Sequence, residues 1–199
     1  MPKLSPIIDA INEHLKKTVF NTARFSGTQL HGLSEMQNRE DGGDDKIIQV
    51  PCIVDNMGEG TPIFPDDTYP VIAYHRIAGT KINIDLKQQT GRSNDRLTRV
   101  AYCSLIIVAL RDRIKLSIED LDLIILGNMP DTIDSAALQK LALKSCTINV
   151  LGSDLSSQQV YQREWPQTGK LLSPEKMVLE IKYQIGCNFD KKCINQLCC

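Results

Sequence analysis

The chain has 199 residues, 42% of them hydrophobic and 24% charged, with 23 Lys and Arg against 24 Asp and Glu. That length suits one compact domain and excludes a pair of full-sized ones, and a core of this size requires neither metal nor disulfide. A formal charge of −1 excludes a protein that coats DNA or a membrane surface through a general basic excess.

The first predicted element is an amphipathic helix. Ser5 is placed to cap it, Pro6 fits its first position, and Leu4, Ile8, Ile11 and Leu15 form one apolar stripe. Nothing here has the charged start, apolar run and small-residue cleavage site of a secretory signal, so an intracellular setting is expected. Thr18 to Phe25 and Ile47 to Val54 read as strands, and Pro51 in the second implies an edge or a bulge. Between them Ser34 to Lys46 is polar and reads as a mobile hairpin tip. Its acids, Glu40, Asp41, Asp44 and Asp45, lack the order and the distal Glu of a calcium loop. Gly58 to Pro70 reads as a second loop, carrying Asp66 and Asp67.

The middle of the chain is strongly β. Val71 to Ala78 places Val71, Ala73, His75 and Ile77 on one face and Ile72, Tyr74, Arg76 and Ala78 on the other. Lys81 to Leu86 alternates as well. Leu97 to Leu110 is apolar almost throughout, as in the centre of a covered sheet, and its last ten residues are half the length that spans a bilayer. Arg111, Arg113 and Lys115 follow it with alternate cations. Ser117 is a credible N-cap with Asp120 at the third helical position, Leu116 can staple onto Leu121, and Met129-Pro130 ends that helix. A second helix is expected over Ser135 to Leu143, a strand over Cys146 to Leu151, and a short polar helix over Ser156 to Trp165. The last strand, Met177 to Ile185, alternates strictly, with Met177, Leu179, Ile181, Tyr183 and Ile185 buried and Val178, Glu180, Lys182 and Gln184 wet.

These elements define an α+β fold: a mainly antiparallel or mixed central sheet, with the N-terminal helix and the other helices packed on one face. The expected organisation is a single domain over residues 1–186, with long loops at 34–46 and 58–70, and a Cys-containing tail over 187–199. Seven cysteines without a secretion signal fit reduced thiols. Cys52 and Cys103 read as small core hydrophobes, and Cys187, Cys193, Cys198 and Cys199 lack the paired spacing of a zinc site.

Catalytic patterns are missing. His14, His31 and His75 stand apart, and His75 reads as a hydrogen-bonded structural histidine rather than a general base. Thr90-Gly91-Arg92-Ser93-Asn94 lacks the lysine and second glycine of a phosphate loop. Arg92, Arg96 and Arg99 could join Arg111, Arg113 and Lys115 in basic ground around the long strand, without the exposed aromatics that single strands stack on. The expectation is a chain that is not an enzyme and uses no cofactor or metal. Two alternatives stay open: a small non-catalytic protein-binding adaptor, and a metal-dependent nuclease using Asp66, Asp67 and Asp85.

The element order, with Ala73-Tyr74-His75-Arg76-Ile77, Ser104 to Leu121 and Met177 to Cys193, resembles the neck and tail-terminator proteins of tailed bacteriophages, particularly ring components of crAss-like phages. The resemblance implies a tail-terminator-like fold and a structural virion protein made in the host cytoplasm. Such a subunit forms a homo-oligomeric ring in the head–tail connector between portal and tail. It contacts other neck, portal or tail proteins and leaves a channel for double-stranded DNA, bound without sequence specificity; no membrane partner is implied. No catalytic residue carries over. Candidate contacts between subunits are the opposite charges on separate segments: Glu40, Asp41, Asp44 and Asp45 against Arg111, Arg113 and Lys115.

Overall fold

Apolar residues spaced three and four apart fold the start of the chain into α1 (Ser5–Thr18), which buries Ile7, Ile8, Ile11 and Leu15. The computed structural model describes residues 4–40, 47–54, 60–85, 96–133, 143–166 and 171–190. Pro6 sits in the first turn as expected, but Ser5 lies inside the helix, and Leu4 is the N-cap with no side-chain cap. The strand expected over Thr18 to Phe25 does not form. The chain makes a 3₁₀ turn instead, Ala23–Phe25. Phe20 and Phe25 meet edge to face at 5.3 Å between centroids and both plug the core, so burial overrides alternation.

Seven strands form one mixed sheet: β1 (Gln29–Glu40), β2 (Ile47–Val54), β3 (Gly60–Pro62), β4 (Val71–Asp85), β5 (Arg96–Leu110), β6 (Leu143–Asp154) and β7 (Lys176–Asp190). Their order is β3-β2-β1-β4-β5-β7-β6. Strands β1 and β4 run parallel, and every other neighbouring pair is antiparallel. The two strands expected before and after Ala78 are one, bent by a bulge between Ile77 and Gly79.

Strand β1 overturns part of the polar hairpin tip expected over Ser34 to Lys46. Its backbone pairs with β4 over Gln29–Ser34 and with β2 over Ser34–Glu40, and Ser34, where the two ladders meet, is buried with its hydroxyl donating to the His75 carbonyl at 3.0 Å. Two ladders and one side-chain bond hold a segment whose side chains give little apolar signal. Strand β6 begins at Leu143, where a helix was expected to end; residues 134–142 lie outside the described residues. Strand β7 continues to Asp190, so Cys187 belongs to the sheet rather than to a tail.

Both faces of the sheet are covered, which corrects the expectation of helices on one face. Helix α1, the single turn α2 (Arg111–Ile114) and α3 (Ile118–Leu126) bury their apolar residues against Val71, Ala73, Cys103, Leu105, Ile107, Leu179, Ile181 and Tyr183. Helix α4 (Ser157–Glu164) packs Val160, Tyr161 and the following Trp165 on the opposite face, against Ile72, Tyr74, Ile106, Val108 and Val178. The helix read as polar because its mean hydropathy is low; its apolar and aromatic residues nonetheless share one side. Among the described residues no helix is long and apolar enough to cross a membrane.

Helix α3 begins as its sequence specifies. The Ser117 side chain accepts a bond from the Asp120 amide at 3.1 Å, satisfying one of the orphan donors of the first turn. Replacing Ser117 with Ala is expected to cost about 1 kcal/mol. A lower urea midpoint at unchanged slope is the corresponding readout; an unchanged midpoint would show the cap to be idle.

Candidate functional site

Topology decides which charged groups can meet. Glu40 ends β1, at the same end of the sheet as the finish of β4 and the start of β5. Arg111, Arg113 and Lys115 follow β5 at the other end. At about 3.3 Å per residue the two ends lie on the order of 40 Å apart, so these charges cannot pair within one subunit. Asp41, Asp44 and Asp45 lie outside the described residues. Arg111 and Lys115 are exposed, Lys115 in a left-handed conformation (φ 52°) that stops α2. Arg113 donates to the Thr68 carbonyl at 2.7 Å.

Two other groupings are separated by the same geometry. Arg96 and Arg99 lie near the start of β5, a strand length away from Arg111, so the basic ground expected around this strand is split between its ends. Arg92 lies outside the described residues. Asp66 and Asp67 precede β4 whereas Asp85 ends it, so the three acids proposed for a nuclease do not converge. Asp67 instead pairs with Lys176 at 2.6 Å. The carboxyl of Asp66 is held below its ordinary range, first by the Thr68 amide and then by Lys176 and Arg113 nearby. Among the described residues no group of three or more His, Cys, Asp and Glu side chains is placed to hold a metal ion.

A charged network is buried under α4. Glu164 is fully buried, yet it receives the Tyr74 hydroxyl at 3.0 Å, Arg76 at 2.8 Å and Arg163 at 3.3 Å. Glu180 is also buried, accepting from the Ser104 hydroxyl at 2.6 Å, with Arg163 at 2.8 Å and Lys182 at 3.6 Å from its other oxygen. The Arg163 contact with that oxygen is close but lacks hydrogen-bond alignment, so it is an ion pair only. Burial, followed by the charge of Glu164, pushes the Tyr74 hydroxyl well above its ordinary pKa. The cations reach outward from the sheet while the acids stay inside. The arrangement ties α4 to β4, β5 and β7. Alternation alone assigned Glu180 to a wet face, and Val178 on the same face was the available sign that part of it is covered.

On the other face His75 sits in a chain of bonds whose direction is determined. The Asn12 amide nitrogen donates to the His31 carbonyl at 2.9 Å, so its oxygen faces His75 Nε2, 2.9 Å away, as an acceptor. Nε2 therefore carries the proton, and Nδ1 accepts from the Tyr183 hydroxyl at 2.6 Å. Cys103 is the β5 partner directly opposite Tyr183, and burial pushes its thiol up to about 11. Burial lowers His75 to about 3, so the ring is neutral near pH 7. Every polar atom of the imidazole is satisfied by groups of the fold itself. This arrangement fits the structural histidine expected from the sequence.

The surface carries a different signal. Of six large exposed apolar side chains among the described residues, four lie at the two lateral edges of the sheet, while Leu123 on α3 and Leu171 before β7 lie elsewhere. Ile47 on β2 and Phe64 just beyond β3 mark one edge, and Val150 and Leu151 on β6 mark the other. Part of the β6 edge is covered, because Ile148 donates to the Asp131 carbonyl at 2.8 Å and Thr132 bridges Thr147. Farther along, the strand bulges between Val150 and Gly152, and Gly152 takes φ 145°, a conformation that L side chains rarely adopt. Leu151 stands at that bulge with 54% of its surface exposed.

No family model matches the chain, and no curated protein matches it significantly.

Proposed function

We propose that the chain is a structural subunit of a bacteriophage neck, one copy in a ring that joins portal or connector to tail and leaves a channel for double-stranded DNA. The observation that carries this reading is the pair of unlike apolar patches at opposite edges of one sheet. A patch on one side that meets a different patch on the next copy is a head-to-tail contact, and such contacts close into rings when the rotation allows. Strand β5, paired along its full length by β4 and β7, makes the body between those patches stiff enough to act as a wedge. The charges at the ends of the sheet supply further contacts between copies or with stacked neighbours, with Arg111 and Lys115 exposed at one end. Each such exposed pair is worth about 0–1 kcal/mol, so assembly follows when many contacts act together and a neighbouring ring templates them.

Negative-stain imaging of the virion and of the concentrated chain is the test. Multiple copies around an axial channel are expected, and a solitary monomer with substrate or metal in an enclosed pocket would overturn the reading. Leu151→Glu places a charge in the β6 patch without touching the core. It is expected to abolish the ring while leaving the circular dichroism and the melting temperature near their original values. Rings that persist in this variant would remove the β6 edge from the interface.

A further inference from the structure

Cys146 on β6 and Cys187 on β7 are direct cross-strand partners, and their sulfur atoms lie 3.7 Å apart in the core. We propose that these two thiols form an oxidation site: a hydroperoxide converts them to a disulfide that locks the edge strand β6 to β7. The geometry suits the bond. Directly opposed residues of antiparallel strands hold their Cα atoms about 4.5–5.5 Å apart, inside the range a disulfide spans. Side-chain adjustment that brings the sulfurs from contact to about 2.05 Å completes it. Neither backbone has to move far.

The two thiols are not equivalent. Either sulfur can donate in the bond between them, but Arg99, the β5 partner directly opposite Cys187, favours a thiolate at Cys187, whereas burial raises Cys146. Cys187 is thus the nucleophile and Cys146 the resolving thiol. In the first step the Cys187 thiolate attacks one peroxide oxygen, the O–O bond breaks, and hydroxide leaves to take up a proton as water. Cys187 is then a sulfenic acid. In the second step Cys146 attacks that sulfur as its proton passes to the departing hydroxyl, which leaves as a second water. Two thiols lose two electrons, and one hydroperoxide is reduced. Both residues are buried, at 2% and 3% exposure, so the oxidant must be as small as hydrogen peroxide, reaching the pair when the edge strand β6 opens locally.

The consequence falls on the edge of the sheet. Strand β6 is the edge strand and β7 is its one neighbouring strand in the sheet order, and the cross-link would fasten it four residues before Val150, the start of its exposed apolar surface. This inference stands on the thiol pair and does not require the ring. The experiment treats the full chain with hydrogen peroxide, quenches with a thiol-blocking reagent and maps linked peptides by mass spectrometry. A Cys146–Cys187 peptide is expected, with five of the seven cysteines still blockable after denaturation. The melting temperature is expected to rise by roughly 5–10 °C, reversibly on reduction, because a 41-residue separation is closed in the unfolded chain. In Cys187→Ser the linked peptide and the rise should both vanish. In Cys146→Ser the Cys187 sulfenic acid should accumulate and react with a dimedone probe. Linkage confined to Cys193, Cys198 or Cys199, linkage of Cys103 to Cys187, or no loss of core thiols would each overturn the proposal.

Discussion

Replacing Glu164 with Leu is expected to lower the stability of the folded chain by about 2–4 kcal/mol, among the largest effects of a single substitution outside the apolar core. Two losses add. The Tyr74 hydroxyl, buried against Trp165, is left without its acceptor, at about 1–3 kcal/mol for an unsatisfied buried donor. Arg76 and Arg163 also lose their shared counter-ion. Those guanidiniums are part-exposed, at 22% and 39%, so water takes over much of their solvation and the cost stays below that of stranding a fully buried charge. Glu164→Gln keeps an oxygen for Tyr74 and is expected to cost about half as much. Urea midpoints at constant slope measure both. If Leu and Gln prove equal, the hydroxyl bond contributes nothing and the network is only a surface ion pair. If Leu stabilises, apolar packing under α4 outweighs the ions.

How far the fold could be read before the structure depends on what each segment's signal measures. Periodicity found α1, α3, β2, the pairing partners β4 and β5, and most of β7, because each buries a regular stripe. It failed on β1, whose side chains are polar and whose place is secured by backbone ladders to β2 and β4; backbone pairing leaves no mark on side-chain pattern. It failed at Thr18 to Phe25, where two phenylalanines were counted as strand residues and are plugs. It stopped β7 too early, at a glycine. Gly186 lies across from Thr147, where an added Cβ would come within 3.1 Å of that hydroxyl, so it marks a close approach rather than an end. The alternation in fact resumes beyond it, through Cys187.

The site was less legible than the fold, for a physical reason. Tyr74 and Glu164 are 90 residues apart and Ser104 and Glu180 are 76 apart, and nothing local says that α4 covers the sheet face on which Glu180 lies. The opposite charges singled out from sequence are placed at opposite ends of the sheet as far as the described residues show them. Glu40 therefore does not pair with these cations inside one chain, and contact between copies belongs to the proposed reading. The thiol pair is not apparent from a tail that starts at Cys187, although the spacing of Cys187 from Ile185 continues the buried face of β7.

The stability of the chain is expected to fall as pH drops from about 6.5 towards 3, through His75. In the unfolded chain this histidine takes up a proton near pH 6.5. In the folded chain burial delays that step to about 3. Between those values the unfolded state binds the extra proton, so the stability that His75 permits is complete above pH 6.5 and is lost progressively below it. At 1.36 kcal/mol per pH unit per proton, the full window corresponds to about 4–5 kcal/mol, a large share of the 5–15 kcal/mol typical of a domain. His31, half-buried and lowered by desolvation, acts in the same direction. Asp66 and Asp154, held low by backbone amides, lose their contribution only as pH falls below their ordinary 3.8, whereas Asp9, raised by burial, opposes the decline at the acid end, so the range from pH 6 to 5 reports chiefly on the histidines. Denaturant titrations across that range should give a stability that declines towards acid with a slope near one proton. His75→Gln offers the Tyr183 hydroxyl and Asn12 a neutral partner. It should be less stable at pH 7 and distinctly flatter below it. A variant that keeps the original slope would place the acid sensitivity elsewhere and would mean that folded His75 already carries its proton near pH 6.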